Sequence, residues 1–136
     1  MTIDSATEMH ERLDKLGYLE DSKSKGVYSI SLLTPDNLED LQRDWLRNND
    51  RPMPDQMAVQ IANSSNTAYV GESGDVYDRL MDHARGDVRR AALVSAYPIV
   101  DVVGVWPGER SATAERDRAR EVASASTAAY ANGELF

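Results

Sequence analysis

Cysteine is missing from this sequence, so disulfide bonds, thiolate zinc sites and cysteine nucleophiles are excluded. No apolar run approaches the roughly 18 residues that a membrane-spanning helix needs. Residues 1–4 show no basic segment followed by an apolar one, and we therefore expect no signal peptide. A chain of 136 residues is typical of one domain. These features predict a single cytoplasmic domain with no membrane partner.

Positive charge is also scarce. The chain has 15 Lys and Arg against 23 Asp and Glu, which gives a formal net charge of −8. An acidic surface repels nucleic acid over long range at low salt, and this counts against a nucleic-acid partner. A salt-rich cytoplasm would screen that repulsion. Abundant aspartate with little lysine suits such conditions, so we expect a halophilic archaeon or its virus as the source, with a virion-associated protein in the viral case. An ordinary acidic cytosolic protein is the alternative.

Hydrophobic periodicity predicts helices interspersed with short strands. Ser5 and Glu8 have the spacing of a capping box at the start of the first helix, and Gly17 would end it. The first half of the chain is predicted to form a helix at 5–17, a polar connector at 21–25, a strand at 27–32, a helix capped by Thr34 and an ambiguous stretch at 53–61. A strand at 67–70 follows, and then a helix that Ser73 or Asp75 caps and Gly86 ends. The last predicted elements are a short helix at 87–97, a strand at 99–106 and an alanine-rich helix from Ser111 to about Tyr130. This order predicts an α/β (α+β) sandwich around a sheet of about three strands.

The order of elements also predicts the domain organisation. We expect an N-terminal helix and connector at 1–25, a main domain at 26–130 with an insertion at about 34–62, and a loose tail at 131–136. The N-terminal helix carries an apolar stripe, and the inserted helix carries another around Trp45. Each stripe is a candidate either for the core or for contact with a protein partner.

The most specific pattern lies in the middle of the chain. Tyr69-Val70-Gly71 ends a predicted strand, and the helix after it places Arg79 and His83 one turn apart on one face. Upstream, Gly26-Val27-Tyr28 puts a second tyrosine in a similar setting, and downstream Glu115 lies in the first turn of the last helix. Two tyrosines, an arginine, a histidine and a carboxylate suit metal-assisted cleavage of a phosphodiester.

This constellation resembles the GIY-YIG nuclease family, from residue 26 to about residue 125. The segment 69–86 is the specific part, because the second tyrosine motif, the arginine, the histidine and Gly86 occur there with the family's spacing. The resemblance implies a central three-stranded antiparallel sheet flanked by helices, with a helix inserted between the first two strands. It also implies an endonuclease that hydrolyses DNA with one divalent ion, Mg²⁺ or Mn²⁺.

The resemblance further implies a role for each residue. Tyr28 would be the general base, and Tyr69 would hold the attacking water or the phosphate. Arg79 would clamp the scissile phosphate with its two-pronged guanidinium. His83 would position a phosphate or assist proton transfer, and Glu115 would ligate the metal. Taken singly, each residue also has an ordinary explanation, such as packing, a solvated helix surface or a favourable charge in a first helical turn.

Two features depart from the family pattern, and the first of them leaves room for an alternative alignment. The two tyrosine motifs are usually close in sequence, whereas Tyr28 and Tyr69 are separated here by an inserted helix. An alternative alignment starts the first motif at Met57-Ala58-Val59, which would replace the base by Val59 and impair the enzyme. Glu72 stands where the family often has a basic residue, and its charge should weaken the attraction of phosphate.

Arginines and a second glutamate complete the candidate residues. Arg85, Arg89 and Arg90 form a basic concentration that could track a nucleic-acid backbone, and another arginine group lies at 110–120. Salt bridges to the many aspartates are an equal alternative. Glu121 is the alternative metal ligand, although it does not share a helix face with Glu115.

A second class of function uses the same fold without catalysis, as an interaction module or a structural subunit of a larger assembly such as a viral particle. The acidic charge favours it. A nuclease must bring Tyr28, Tyr69, Arg79 and Glu115 to one cleft. A Tyr28 hydroxyl buried in the core would favour the interaction module.

Overall fold

The computed structural model describes residues 2–87 and 91–136. In chain order the elements are α1 (Ala6–Leu16), α2 (Leu19–Ser22), β1 (Gly26–Leu32), α3 (Leu38–Leu46), α4 (Asp55–Ala62), β2 (Asn66–Ser73), α5 (Val76–Arg85), α6 (Ala92–Ala96), β3 (Ile99–Pro107), α7 (Ala112–Val122), β4 (Thr127–Ala131) and β5 (Glu134–Leu135). The fold is a mixed α/β sandwich, in agreement with the fold class expected from the sequence.

The sheet has five strands in the order β3-β1-β2-β4-β5, so the expectation of three strands was wrong. β1 pairs antiparallel with β2 and with β3, and these are the three strands expected. β4 then adds to β2 in parallel, and β5 pairs antiparallel with β4. The result is a mostly antiparallel sheet with helices on both faces.

The two additional strands come from the alanine-rich C-terminal segment. The last helix ends at Val122 and not near Tyr130, because residues 127–131 pair with β2. Alanine favours helices intrinsically, but tertiary pairing overrides a preference of this size. Asn132 and Gly133 both have positive φ, 52° and 84°, as in a two-residue hairpin turn. The expected loose tail is therefore a short hairpin in which Phe136 N donates to Ala129 O.

The N-terminal helix is part of the core. Ser5 caps α1 by accepting a hydrogen bond from the Glu8 backbone, and Gly17 ends the helix in the left-handed region with φ 81°. Met9 and Leu13 are fully buried. These two residues of the apolar stripe therefore pack in the protein's own core.

The insertion between β1 and β2 contains two helices. Asn37, and not Thr34, caps α3, and Trp45 of α3 is buried with its indole N–H donating to the carbonyl of Arg51. The ambiguous stretch forms α4, which carries Val59 on its exposed side. The Val59 segment of the alternative alignment is therefore helical, whereas Tyr28 lies on strand β1.

Two hydrophobic clusters lie on opposite faces of the sheet. The larger one packs the Tyr28, Ile30 and Leu32 face of β1 against α1, α3, α4, α5 and α6. The smaller one packs Val27 and Val70 against α7 and the C-terminal hairpin. None of the helices in the described part of the chain is long and apolar enough to cross a membrane.

Candidate active site

Strand register brings the two tyrosines together. Tyr28 lies directly opposite Gly71 across the β1–β2 pair, and Tyr69 lies two residues along β2 on the same face. Their ring centroids are 6.3 Å apart. Tyr130 of β4 lies opposite Tyr69 and stacks on it at 6.2 Å. The inserted helices thus separate the tyrosines in sequence without separating them in space.

Gly71 is required by this close approach. A Cβ built at Gly71 would lie 2.6 Å from the Tyr28 hydroxyl and 2.9 Å from Cε2 of Tyr69. Ordinary van der Waals contacts of a Cβ lie at 3.4–4 Å. The glycine of the Tyr-Val-Gly motif therefore leaves room for both rings over the strand.

Helix α5 adds the histidine and the arginine. Asp75 caps its start, Gly86 ends it, and Val76, Leu80 and Ala84 anchor it in the core. His83 is 1% exposed, and its Nε2 lies 2.8 Å from the Tyr28 hydroxyl. The histidine is thus a partner of Tyr28 at the back of the site.

Arg79 is the positive charge beside the tyrosines. It lies one turn before His83 on α5 and forms a hydrogen bond with Tyr28. Its charge lowers the pKa of both Tyr28 and Tyr69, against larger opposing effects. This position suits a group that stabilises negative charge at the tyrosine hydroxyls.

Burial keeps Tyr28 protonated. The side chain is 1% exposed, and this burial raises its pKa far above the usual 10, with a further rise from Tyr69 that Arg79 only partly opposes. Burial also raises the pKa of Tyr69, and the charge of Glu115 adds to the rise. Tyr69 is the more accessible of the two rings. At neutral pH both side chains are therefore neutral hydroxyls that can donate and accept hydrogen bonds.

The carboxylate comes from the opposite helix. Ser111 caps α7 through the Ala114 backbone, which places Glu115 in the first turn. Glu115 is 9% exposed, and its charge raises the pKa of Tyr28 and Tyr69. Burial raises the pKa of Glu115 itself, the charge of Glu72 raises it further, and Arg116 opposes these effects. Glu115 therefore acts electrostatically on both tyrosines from α7, which packs on the Val27 and Val70 face of the sheet.

The alternative metal ligand lies elsewhere. Glu121 is bonded to Arg118, and its side chain is 58% exposed. Arg118 also pairs with Glu109 and stacks over the Trp106 ring. Glu121 is thus committed to a surface ion-pair network, and Glu115 is the better candidate.

The candidate nucleic-acid residues have mixed positions. Arg85 is exposed and lies 3.7 Å from Asp82 on the same helix. Arg89 and Arg90 fall outside the described residues. In the second arginine group, Arg116, Arg118 and Arg120 form ion pairs with acidic side chains, as the salt-bridge alternative expects.

Sequence reasoning missed Tyr130 as a site residue, and it named Glu72 and Arg110 only as a departure from the family pattern and as part of the arginine group at 110–120. Tyr130 was assigned to a helix, although the Asn132-Gly133 turn that follows it could have indicated a hairpin. Glu72 was treated only as a weakness, whereas it acts on Glu115. Arg110 lies against the loop before α5, since a Cβ on Gly74 would meet its guanidinium nitrogen at 2.8 Å. That last contact has no local sequence signal.

Among residues 2–87 and 91–136 no group of three or more His, Cys, Asp or Glu side chains is placed to hold a metal ion. A divalent ion would therefore rely on two carboxylates at most, with water or substrate oxygens. Comparisons with protein-family models, with curated proteins and with solved structures find no match to this chain.

Proposed function

We propose that the protein is a metal-dependent endonuclease that hydrolyses DNA phosphodiester bonds by a GIY-YIG-type mechanism. One observation carries the proposal. Tyr28, Tyr69, Arg79 and His83 come from three separate elements and meet on one face of the sheet, and the charge of Glu115 on α7 acts on both tyrosines. Packing alone gives no reason for an arginine to lie beside two tyrosines and a histidine, with the charge of a carboxylate acting on both tyrosines.

The donor set fits one hard divalent ion. Glu115 offers a buried carboxylate, and Mg²⁺ and Mn²⁺ prefer such oxygens. The ion, when bound, would stabilise the charge that develops on the phosphate and on the leaving oxygen. Glu115 would hold it.

The burial of Tyr28 changes the expected division of roles between the tyrosines. Tyr69 is the more accessible ring, its centroid lies 6.3 Å from that of Tyr28, and Tyr28 in turn is bonded to His83. We therefore assign Tyr69 the contact with the attacking water. Tyr28 passes the proton from Tyr69 to Nε2 of His83, and a raised pKa suits a hydroxyl that relays a proton without ionising at rest.

Arg79 supplies the fixed positive charge in this reaction. Water oxygen forms the new bond to phosphorus, the bond from phosphorus to the leaving oxygen breaks, and the leaving oxygen takes a proton from solvent. Negative charge grows on the phosphate oxygens during this exchange. The guanidinium of Arg79 stabilises that charge because its donors can bond two oxygens at once.

Arg110 is the arginine that we assign to a neighbouring phosphate. It is exposed, and its guanidinium lies against Gly74 in the loop between β2 and α5. In the described part of the chain no ion pair joins it to an acidic side chain, unlike the other arginines of α7 and its approach. Arg110 would offset part of the repulsion that the net charge of −8 imposes on DNA.

The test is cleavage of supercoiled plasmid with Mg²⁺ or Mn²⁺, from low to molar salt. Wild type should nick the plasmid only with the ion, and Glu115→Ala should lose about 10²-fold or more of the rate. Glu121→Ala is the matched control, because it removes a carboxylate from the same helix at the surface. Cleavage that survives Glu115→Ala would refute the mechanism.

A noncatalytic interaction module is the second candidate. The observation in its favour is the Tyr28 hydroxyl, which is buried and already bonded to His83. In that case Tyr28, Tyr69 and His83 would serve only as a polar layer of the core. Absence of nicking at every salt concentration, with a folded protein, would favour this candidate, either as a binding partner or as a structural subunit.

A further inference from the structure

Tyr130 is a third tyrosine on the face of the sheet that carries Tyr69 and Tyr28. It lies opposite Tyr69 in the parallel β2–β4 pair, and the two rings stack with centroids 6.2 Å apart and an angle of 27° between their planes. Both side chains are half-buried and pack against the larger hydrophobic cluster. Tyr130 lies beyond the segment that resembles the nuclease family, so the resemblance assigns it no role.

The ring of Tyr69 has aromatic neighbours on both sides. β2 lies between β1 and β4 in the sheet, so Tyr28 of β1 and Tyr130 of β4 flank Tyr69 from opposite directions. The ring of His83 meets that of Tyr69 edge to face, with centroids 5.8 Å apart. Tyr28 and His83 are fully buried, whereas Tyr130 is not. Tyr130 is therefore the ring that bounds Tyr69 on the side of the sheet that leads to β5.

The backbone that carries Tyr130 is held from several directions. β4 pairs with β2 on one side and with β5 on the other. The side-chain amide of Gln60 on α4 donates to the carbonyl oxygen of Phe136 at 3.3 Å. Glu134 of β5 lies 3.8 Å from Arg116 of α7. The hairpin is thus tied to helices on both faces of the sheet, and a side chain on such a support can fix the rotamer of its neighbour.

This geometry gives Tyr130 a specific effect on Tyr69. A tyrosine side chain has staggered rotamers about χ1 and a ring that turns about χ2, and its packed neighbours select among these orientations. Removal of the Tyr130 ring would open one side of Tyr69 and leave movement toward β5 unopposed. Misplacement of a catalytic group by about 1 Å can cost about 10²-fold in rate. The position of the Tyr69 hydroxyl therefore depends on the ring beside it.

We propose that Tyr130 is a positioning residue of the active site, whose ring holds Tyr69 in the orientation in which the Tyr69 hydroxyl contacts the attacking water. This inference rests on the proposed function, which assigns that contact to Tyr69. It makes the C-terminal hairpin part of the catalytic apparatus as well as an extension of the sheet. Tyr130 acts through Tyr69 and touches no reacting atom.

The first experiment compares the kinetics of metal-dependent plasmid nicking in wild type, Tyr130→Phe and Tyr130→Ile. Phenylalanine keeps the ring, so kcat should stay within about twofold of wild type. Isoleucine favours a strand but has no ring, so kcat should fall about tenfold or more while KM changes by less than about twofold. An unchanged kcat in Tyr130→Ile, or equal losses in both variants, would overturn the proposal.

Tyr18→Ile is the matched control. Tyr18 is half-buried and packs against the same hydrophobic cluster, but its hydroxyl donates to Val103 O on β3, at the opposite edge of the sheet. Its replacement should lower Tm and leave kcat unchanged at temperatures well below unfolding. A loss of kcat equal to that of Tyr130→Ile would reveal a general effect of lower stability and would overturn the proposal.

Nuclear magnetic resonance gives a readout that needs no activity. The rings of Tyr69 and His83 should show a nuclear Overhauser effect in wild type and in Tyr130→Phe, and Tyr130→Ile should lose it. That contact does not include Tyr130, so only a movement of Tyr69 or His83 can remove it. Its persistence in Tyr130→Ile would overturn the proposal.

Two measurements cover the case in which Tyr130→Ile does not fold. Tyr130→Leu also lacks a ring and takes its place in both experiments, with the same expected results. In wild type, the rings of Tyr69 and Tyr130 should themselves show a nuclear Overhauser effect. Its absence would overturn the proposal without any variant.

The outcomes distinguish this inference from the proposed function. Metal-dependent nicking that Tyr130→Ile leaves unchanged would overturn only the positioning role. Loss of the effect between Tyr69 and His83 in Tyr130→Ile, in a protein that nicks no plasmid at any salt concentration, would support control of the Tyr69 orientation by Tyr130 and overturn the nuclease.

Discussion

Substitution of Gly71 by alanine tests the geometry on which the candidate site depends. A Cβ at this position would lie 2.6 Å from the Tyr28 hydroxyl and 2.8 Å from its Cζ. The shortest ordinary Cβ contact is 3.4 Å, so the ring must retreat by about 0.8 Å (3.4 − 2.6) or the strands must separate. Tyr28 is 1% exposed, which leaves the ring little space for that movement.

The expected cost follows from two effects. Overpacking a core position costs roughly 1–3 kcal/mol, and a weakened hydrogen bond between Tyr28 and His83 adds about 1 kcal/mol. The usual gain from replacing glycine by alanine in a strand is about 0.5–1 kcal/mol and has the opposite sign. Gly71→Ala should therefore lower the free energy of unfolding by about 1–3 kcal/mol.

Urea denaturation followed by tryptophan fluorescence measures this loss, and Tyr28→Phe provides the matched background. Phenylalanine lacks the hydroxyl that is nearest to the new Cβ, so Gly71→Ala should cost about 1 kcal/mol less in that background. The reasoning is refuted if Gly71→Ala is neutral or stabilising. It is also refuted if its cost is the same with and without the Tyr28 hydroxyl.

Three further predictions address the tyrosines, the hairpin and the DNA contact. Burial raises the pKa of Tyr28 and Tyr69 in the folded protein, so their contribution to stability is complete below the unfolded pKa of about 10 and declines as pH rises above it. Urea unfolding across pH 8–12 should therefore show stability falling above about pH 10. Absorbance at 295 nm should show the tyrosines of the native protein ionising at higher pH than those of the unfolded protein. Gly133→Ala should lower the free energy of unfolding by about 1 kcal/mol, because φ of 84° lies in the left-handed region. Gly133→Asn should cost less, because asparagine tolerates that region better. Equal urea midpoints for the two variants would contradict the left-handed conformation at this turn. Arg110→Ala should weaken DNA binding and reduce, by about 1, the steepness with which the logarithm of the binding constant falls with the logarithm of the salt concentration. Arg85→Ala removes an arginine that is already paired with Asp82, so it should change this slope less.

Local signals in the sequence identified most helices and their ends. The Ser5 and Gly17 caps, the Asp75 and Gly86 caps and the Ser111 cap all lie where the sequence predicts them. These features depend on a few neighbouring residues, and the chain therefore encodes them locally. Thr34 is the exception, since Asn37 takes the cap of α3.

The edge of the sheet could not be predicted in the same way. Residues 127–131 are mostly alanine, which favours helix, and only pairing with β2 makes them a strand. The turn at Asn132-Gly133 was the available clue. An edge strand of small residues has too weak a local pattern to compete with helix propensity, so its partner decides its conformation.

The candidate site was likewise predictable from the sequence only in part. Sequence alone proposed Tyr28, Tyr69, Arg79, His83 and Glu115 as candidates, because their types and order resemble a family pattern. The helical spacing fixes a shared face for the arginine and the histidine. Only the tertiary structure decided that Tyr28 is buried against His83, that Tyr69 is the more accessible of these two tyrosines, and that the charge of Glu72 acts on Glu115. Burial and charge proximity depend on strands and helices that meet across the fold, and no local pattern encodes those distances.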